Sequence, residues 1–209
     1  MLSFDTTHAL TGCLLHADAH AETRSLGAPP ILLLLTDQPL TPTGAGRLRH
    51  IRAAAFTLPP QQVAEHTDAI VGVLHDLAAR LADLAQPGAR SGLRLADGRD
   101  PGLDAAVAAD IYADLITLVE PGSRPLAWAV VYDDVLADTD SIDAVRRIDA
   151  VDVDGRVYQL TRRRGEAHAV VVIDDQPDPD DTPATHPGLA ALVAATAQLT
   201  HYTRQAAHP

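Results

Sequence analysis

Apolar residues recur along this chain with two periods, and the change from one to the other divides it. Residues 5–23 carry Leu10, Cys13, Leu14, Ala17 and Ala21 at helical spacing, with Asp5 as the expected N-cap and Gly27-Ala28-Pro29-Pro30 as the stop. The unbroken run Ile31–Leu35 predicts a buried strand over 30–36. Leu40–Gly46 reads as a turn-rich connector, and 48–57 as a second strand closing a hairpin. The most regular stripe, Val63, Ile70, Leu74, Leu77, Leu81 and Leu84, predicts a helix over 60–86 opened by Pro59-Pro60. A Gly/Arg/Asp loop follows over 87–99. Asp100-Pro101 then starts a helix with Leu103, Val107, Ile111, Leu115 and Leu118 inward, which Pro121-Gly122 ends.

From residue 126 the period becomes that of strands: 126–133, 145–153, 156–163 and 167–174. An acidic Pro/Asp segment, 174–185, reads as an extended linker to a last helix, 186–205, with Leu189, Leu192, Val193, Thr196 and Leu199 inward. Asp154-Gly155 predicts a two-residue hairpin turn, which sets Val153 opposite Arg156 and Val151 opposite Tyr158. A second turn at Gly165-Glu166 sets Leu160 opposite Val171 and Tyr158 opposite Ile173. In this register one face is core, and the other lines up Arg146, Arg163 and His168. The element order α-β-β-α-α-β-β-β-β-α predicts a single α+β domain over 1–209. Its mainly antiparallel sheet comprises the N-terminal hairpin and a C-terminal four-strand meander, covered by helices. In outline this order resembles profilin-like and roadblock-type modules, and the resemblance implies a dimeric protein-binding platform.

Composition narrows the chemistry more than it suggests any. The 209 residues include no lysine and no asparagine. Walker-A phosphate loops, protein-kinase sites, Schiff-base chemistry and Cys-His-Asn proteolysis are therefore excluded. Both amino acids have AT-rich codons, so their absence points to a GC-rich bacterial genome. A formal charge of −12 argues against general nucleic-acid binding and against anionic membrane surfaces. Of the 28 carboxylates 24 are aspartate, which favours turns and strand ends over helix faces. The single cysteine, Cys13, excludes a disulfide framework and a cysteine-rich zinc site, and fits a reducing cytoplasm. Leu10-Thr11-Gly12-Cys13 matches a lipoprotein cleavage box, but Asp5, Thr6, Thr7 and His8 stand where an apolar segment belongs.

The candidate sites are weighed against plainer readings. Arg146, Arg163 and His168 in one row form the best candidate binding site, suited to a carboxylate, a phosphate or an acidic partner segment. Internal pairing with the abundant aspartates is the plainer reading. Asp133, Asp134, Asp138, Asp140 and Asp143 are the best enzymatic candidate, as carboxylates for a divalent metal and a hydrolytic water. Adjacent strand residues point to opposite faces, however, so Asp133 and Asp134 do not serve one site. Asp152-x-Asp154-Gly155 has the spacing of part of a calcium loop, but Ala150 and Thr161 occupy ligand positions, so it reads as a turn. His16 and His20 lie one helical turn apart with no third ligand identified, and His66 reads as a flanking residue. No serine stands in a nucleophile elbow. The linker aspartates supply a third reading, mimicry of a phosphate backbone.

The expectation is thus a non-enzymatic interaction or accessory module, with no cofactor and no metal. Its partner is a protein or a second copy in a homodimer, bound through the long helix or a sheet edge. A metal-dependent hydrolase using Asp133 to Asp143 is the alternative.

Overall fold

Leu32–Leu35 are buried on both faces because their strand lies inside a sheet that helices cover on each side. The computed structural model describes residues 1–25, 27–39, 49–58, 70–85, 111, 113, 115, 123–137 and 142–207. Among these, α1 spans Phe4–Ala21, β1 Ile31–Pro39, β2 Arg49–Thr57 and α2 Ile70–Leu84. They are followed by β3 Arg124–Ala137, β4 Ile142–Asp152, β5 Val157–Arg163, β6 Val170–Asp174 and α3 His186–Ala207. The six strands form one antiparallel sheet in the order β2-β1-β3-β4-β5-β6. The architecture is α+β with a single sheet, in the order expected apart from the second central helix. That helix, the start of the 60–86 helix, the 40–46 connector and the 87–99 loop lie outside the described residues, save that Ile111 and Leu115 are buried.

Each face of the sheet has its own core. Leu32, Leu34, Trp128, Val130, Val151 and Val157 pack beneath α2 and α3 with Leu74, Leu77, Leu81, Leu189, Leu192 and Leu199. Leu33, Leu35, Ala129, Val131, Ile148, Ala150, Tyr158 and Leu160 pack beneath α1 with Leu10, Leu14 and Ala21. The helices α2 and α3 cross closely at Gly188, where an added Cβ would stand 2.6 Å from Cβ of Leu74. The leucine stripe of α2 is therefore covered by its own chain. A bulge between Leu35 and Thr36 in the β1–β3 ladder lets consecutive residues, Leu126 and Ala127, join the α1-side core. The N-cap of α1 is Ser3 and not Asp5: its hydroxyl accepts from Thr6 N at 3.2 Å, while Asp5 sits in the first turn.

The β4–β5 register differs from expectation by one residue. Val151 pairs with Val157, not Tyr158, and Ala150 pairs with Tyr158. Asp152 is the cause. Its Oδ1 accepts from the backbone N–H of Asp154 at 2.8 Å and of Arg156 at 3.1 Å, and its carbonyl accepts from Gly155 N at 3.0 Å. The loop is thus the three residues Val153-Asp154-Gly155, with Gly155 at φ 84°. This is a type I turn closed by a left-handed glycine, in place of a two-residue turn. A slip of one exchanges the faces of every side chain. Arg146 now stands opposite Arg162 and Arg163 opposite Val145. The next hairpin keeps its expected register, with Leu160 opposite Val171 and Tyr158 opposite Ile173. Its ladder ends at Thr161 and Val170, which leaves His168 exposed outside β6.

The acidic segment before α3 is built of turns and is not extended. Asp174 Oδ1 accepts from Gln176 N at 2.9 Å and Asp178 Oδ1 from Asp180 N at 3.0 Å, so two of its aspartates are spent on local backbone.

Candidate functional site

The expected row of Arg146, Arg163 and His168 does not form, because the register shift sends Arg146 and Arg163 to opposite faces. On the α1 side, Arg146 donates from Nε and Nη2 to Asp133 Oδ1 at 3.1 and 3.0 Å. Asp133 Oδ2 accepts from the backbone N–H of Gly27 at 2.9 Å, where the chain leaves α1 with φ 73°. Arg162, the neighbour of Arg146 across the ladder, donates from Nε to Asp18 Oδ2 at 2.7 Å and also from Nη2. Its Nη1 reaches the carbonyls of Glu166 and Ala167 at 3.4 and 3.2 Å. Asp18 is buried on α1, so this pair is a directional bond between helix and sheet.

These residues enclose a cleft of about 110 Å³ between the C-terminal end of α1 and strands β3 to β5. It is lined by Glu22, Arg24, Asp133, Arg146, Arg162 and Arg164 among others. Glu22 faces Arg146 without a hydrogen bond, its Oε2 lying 3.8 Å from Nη1. Arg24 is fixed through Nη2 to the carbonyl of Pro29 at 2.8 Å. Sequence reasoning missed Arg162, Arg24 and Arg164 here. Reading Asp152 as the first residue of a four-residue turn would have placed Arg162 beside Arg146.

Comparison with protein-family models, curated proteins and solved structures finds no match to this chain.

The aspartates proposed for metal chemistry are dispersed. Asp133 serves Arg146 and Gly27 on the α1 face. Asp134, on the other face, lies in an ion pair 2.9 Å from Arg147 Nε, which makes no hydrogen bond among the described residues, and accepts from the N–H of Val135 at 2.8 Å. Asp143 lies 3.9 Å from Arg163, and Asp138 and Asp140 fall outside the described residues. Among the described residues no three His, Cys, Asp or Glu side chains gather as a ligand set. His16 and His20 are exposed, and His66 is outside the described residues. Cys13 is half-buried within α1, where burial pushes its thiol up. No described helix is long and apolar enough to cross a membrane.

Two further polar clusters tie elements together. Asp152 Oδ2 accepts from Tyr158 Oη at 2.9 Å and from Arg156 Nη1 at 3.2 Å, while Arg156 also holds Thr7 Oγ1 at 2.9 Å and Asp175. Burial, followed by the Asp152 charge among the causes that raise it, pushes the Tyr158 hydroxyl up to about 12. On the other face, Asp149 Oδ2 accepts from Tyr132 Oη and Thr185 Oγ1, each at 2.7 Å. Burial raises the Asp149 carboxyl above the ordinary aspartate value.

The edges of the sheet differ sharply. β2 presents Arg49, His50 and Arg52. β6 is Val170-Val171-Val172-Ile173-Asp174, with Val170 65%, Val172 51% and Ile173 42% exposed.

Proposed function

We propose that this protein is a non-enzymatic interaction module whose docking element is β6 and whose first partner is a second copy of itself. The observation that carries this is the exposed valine edge. Edge strands are ordinarily defended by charge, proline or a bulge, and β6 has neither proline nor a charged residue before its last position. β2, the opposite edge, carries two arginines and a histidine.

A second copy suits the charge pattern. The chain approaches β6 through Arg163, Arg164 and His168, with Glu166 as the single carboxylate there, and leaves it through Asp174 and Asp175. Antiparallel pairing about a two-fold axis near the middle of β6 sets the basic end of each copy beside the acidic end of the other. It would also continue the main-chain ladder into one twelve-stranded sheet, six strands from each copy. This reading favours an accessory or scaffolding role.

Sedimentation analysis across micromolar concentrations tests it. A monomer–dimer equilibrium is expected that weakens with added salt and is abolished by Val172→Lys, a change at an exposed position that leaves the core untouched. A wild-type protein that stays monomeric at every concentration, or a dimer indifferent to Val172→Lys, overturns the proposal.

A further inference from the structure

We infer that the arginine cleft at the end of α1 is a binding site for a small oxyanion of phosphate size, and that Glu22 holds the ligand's place in its absence. The inference stands on the cleft alone and does not depend on pairing through β6.

The first support is the charge balance. Four arginines, Arg24, Arg146, Arg162 and Arg164, line the cleft together with two acidic residues, Glu22 and Asp133. Counting Asp18, which binds Arg162, leaves a local excess of one positive charge in a chain of formal charge −12. A positive concavity in a strongly acidic protein focuses anions where the rest of the surface repels them.

The second support is the unused donor geometry. Arg162 spends all three nitrogens on Asp18, Glu166 and Ala167, and serves as a wall. Arg146 is different. Its side chain is only 11% exposed and Asp133 holds its Nε and Nη2 rigidly, which leaves Nη1 without a hydrogen-bond acceptor among the described residues. The nearest carboxylate, that of Glu22, stops at 3.8 Å, beyond hydrogen-bond reach, and its side chain is 44% exposed. A fixed guanidinium edge facing a loosely placed carboxylate is the arrangement in which a better-fitting anion would displace the carboxylate. Arg24 is anchored through Nη2 to Pro29, and its Nε and Nη1 have no partner among the described residues. Arg164 is exposed at the rim.

Size limits the class. A cleft of about 110 Å³ has room for a few waters. That admits inorganic phosphate or the phosphate group of a small monoester. Two or three fixed guanidinium donors are the usual means of holding such a group.

Calorimetric titration of the full chain with inorganic phosphate at low ionic strength, against chloride of matched ionic strength, tests the site. Binding in the millimolar range or tighter is expected for the wild type. Glu22→Gln removes the competing charge and should tighten binding about fivefold or more. Arg24→Gln removes a donor and should weaken it about tenfold. Neither residue belongs to the core, so both variants are expected to fold. Phosphate heat no greater than chloride heat in both the wild type and Glu22→Gln overturns the inference. So does phosphate binding that neither variant alters, since the ion would then sit elsewhere.

Discussion

The two faces of the sheet are covered by different means. Beneath α2 and α3 the contact is nearly all aliphatic and is centred on Trp128, whose indole N–H donates to Thr196 Oγ1 at 2.9 Å. Beneath α1 the fully buried apolar residues of the helix are few, Leu10, Leu14 and Ala21. That helix is instead pinned near one end by Thr7 to Arg156 and near the other by Asp18 to Arg162. Apolar area is non-directional, whereas a guanidinium–carboxylate pair fixes a distance and an angle. Two helices crossing over a broad core find their position by shape, with Gly188 setting how closely they approach. A lone helix with a narrow stripe needs polar pins to set its rotation and its slide along the sheet.

The largest test of this contrast is Trp128→Ala. It removes the biggest buried side chain on the aliphatic face and leaves Thr196 Oγ1 without its donor, at an expected cost of about 3–5 kcal/mol in urea unfolding. On the other face, Asp18→Ala leaves a buried guanidinium with only carbonyl partners and should cost about 3 kcal/mol. The two differ in how they are rescued. Replacing both partners, as in Asp18→Leu with Arg162→Met, should recover most of the loss, because apolar substitutes of similar volume relieve the desolvation penalty. If the double variant is no more stable than Asp18→Ala alone, the pin contributes more than its charge balance and the contrast must be redrawn.

The smallest expected effect concerns pH. Asp149, the acid on the mainly aliphatic face, has its carboxyl raised above 3.8 by burial, against the opposing bonds from Thr185 and Tyr132. A carboxyl raised on folding adds stability that is fully present below its unfolded value and is lost as pH rises through the folded one. Wild-type stability should therefore carry a declining component from about pH 4 upward. Asp149→Asn keeps an acceptor for both hydroxyls and should flatten that component, gaining stability at neutral pH relative to the wild type. Denaturation at matched pH values measures it, and parallel pH profiles for the two proteins would contradict it.

Much of the fold was legible because periodicity reports burial. The stripe Leu74, Leu77 and Leu81, the run at Ile31–Leu35 and the last helix with Leu189, Leu192 and Leu199 all lie in the core where their spacing puts them. The site was not legible, because it depended on one turn. Asp-Gly is the strongest short hairpin signal, but an aspartate two positions before that pair supplies acceptors for the backbone N–H groups of Asp154 and Arg156, and those bonds lengthen the loop by one residue. Every arginine placement downstream of β4 inherited that error of one. The β5–β6 turn carries no such aspartate, and its register came out as read. Pairing between α1 and the sheet left no trace in the sequence, since Asp18 on a helix and Arg162 on a strand share no period.

The pins of α1 also constrain the order in which the molecule assembles. Asp18 and Arg162 are 144 residues apart, and Thr7 and Arg156 are 149. At roughly 5–20 residues per second, α1 waits on the order of ten seconds after its own synthesis for its anchors to be made. Throughout that interval Leu10 and Leu14 have no finished surface to cover them. A helix made well before its anchors is thus secured only late, after the segment that carries Arg156 and Arg162 is in place.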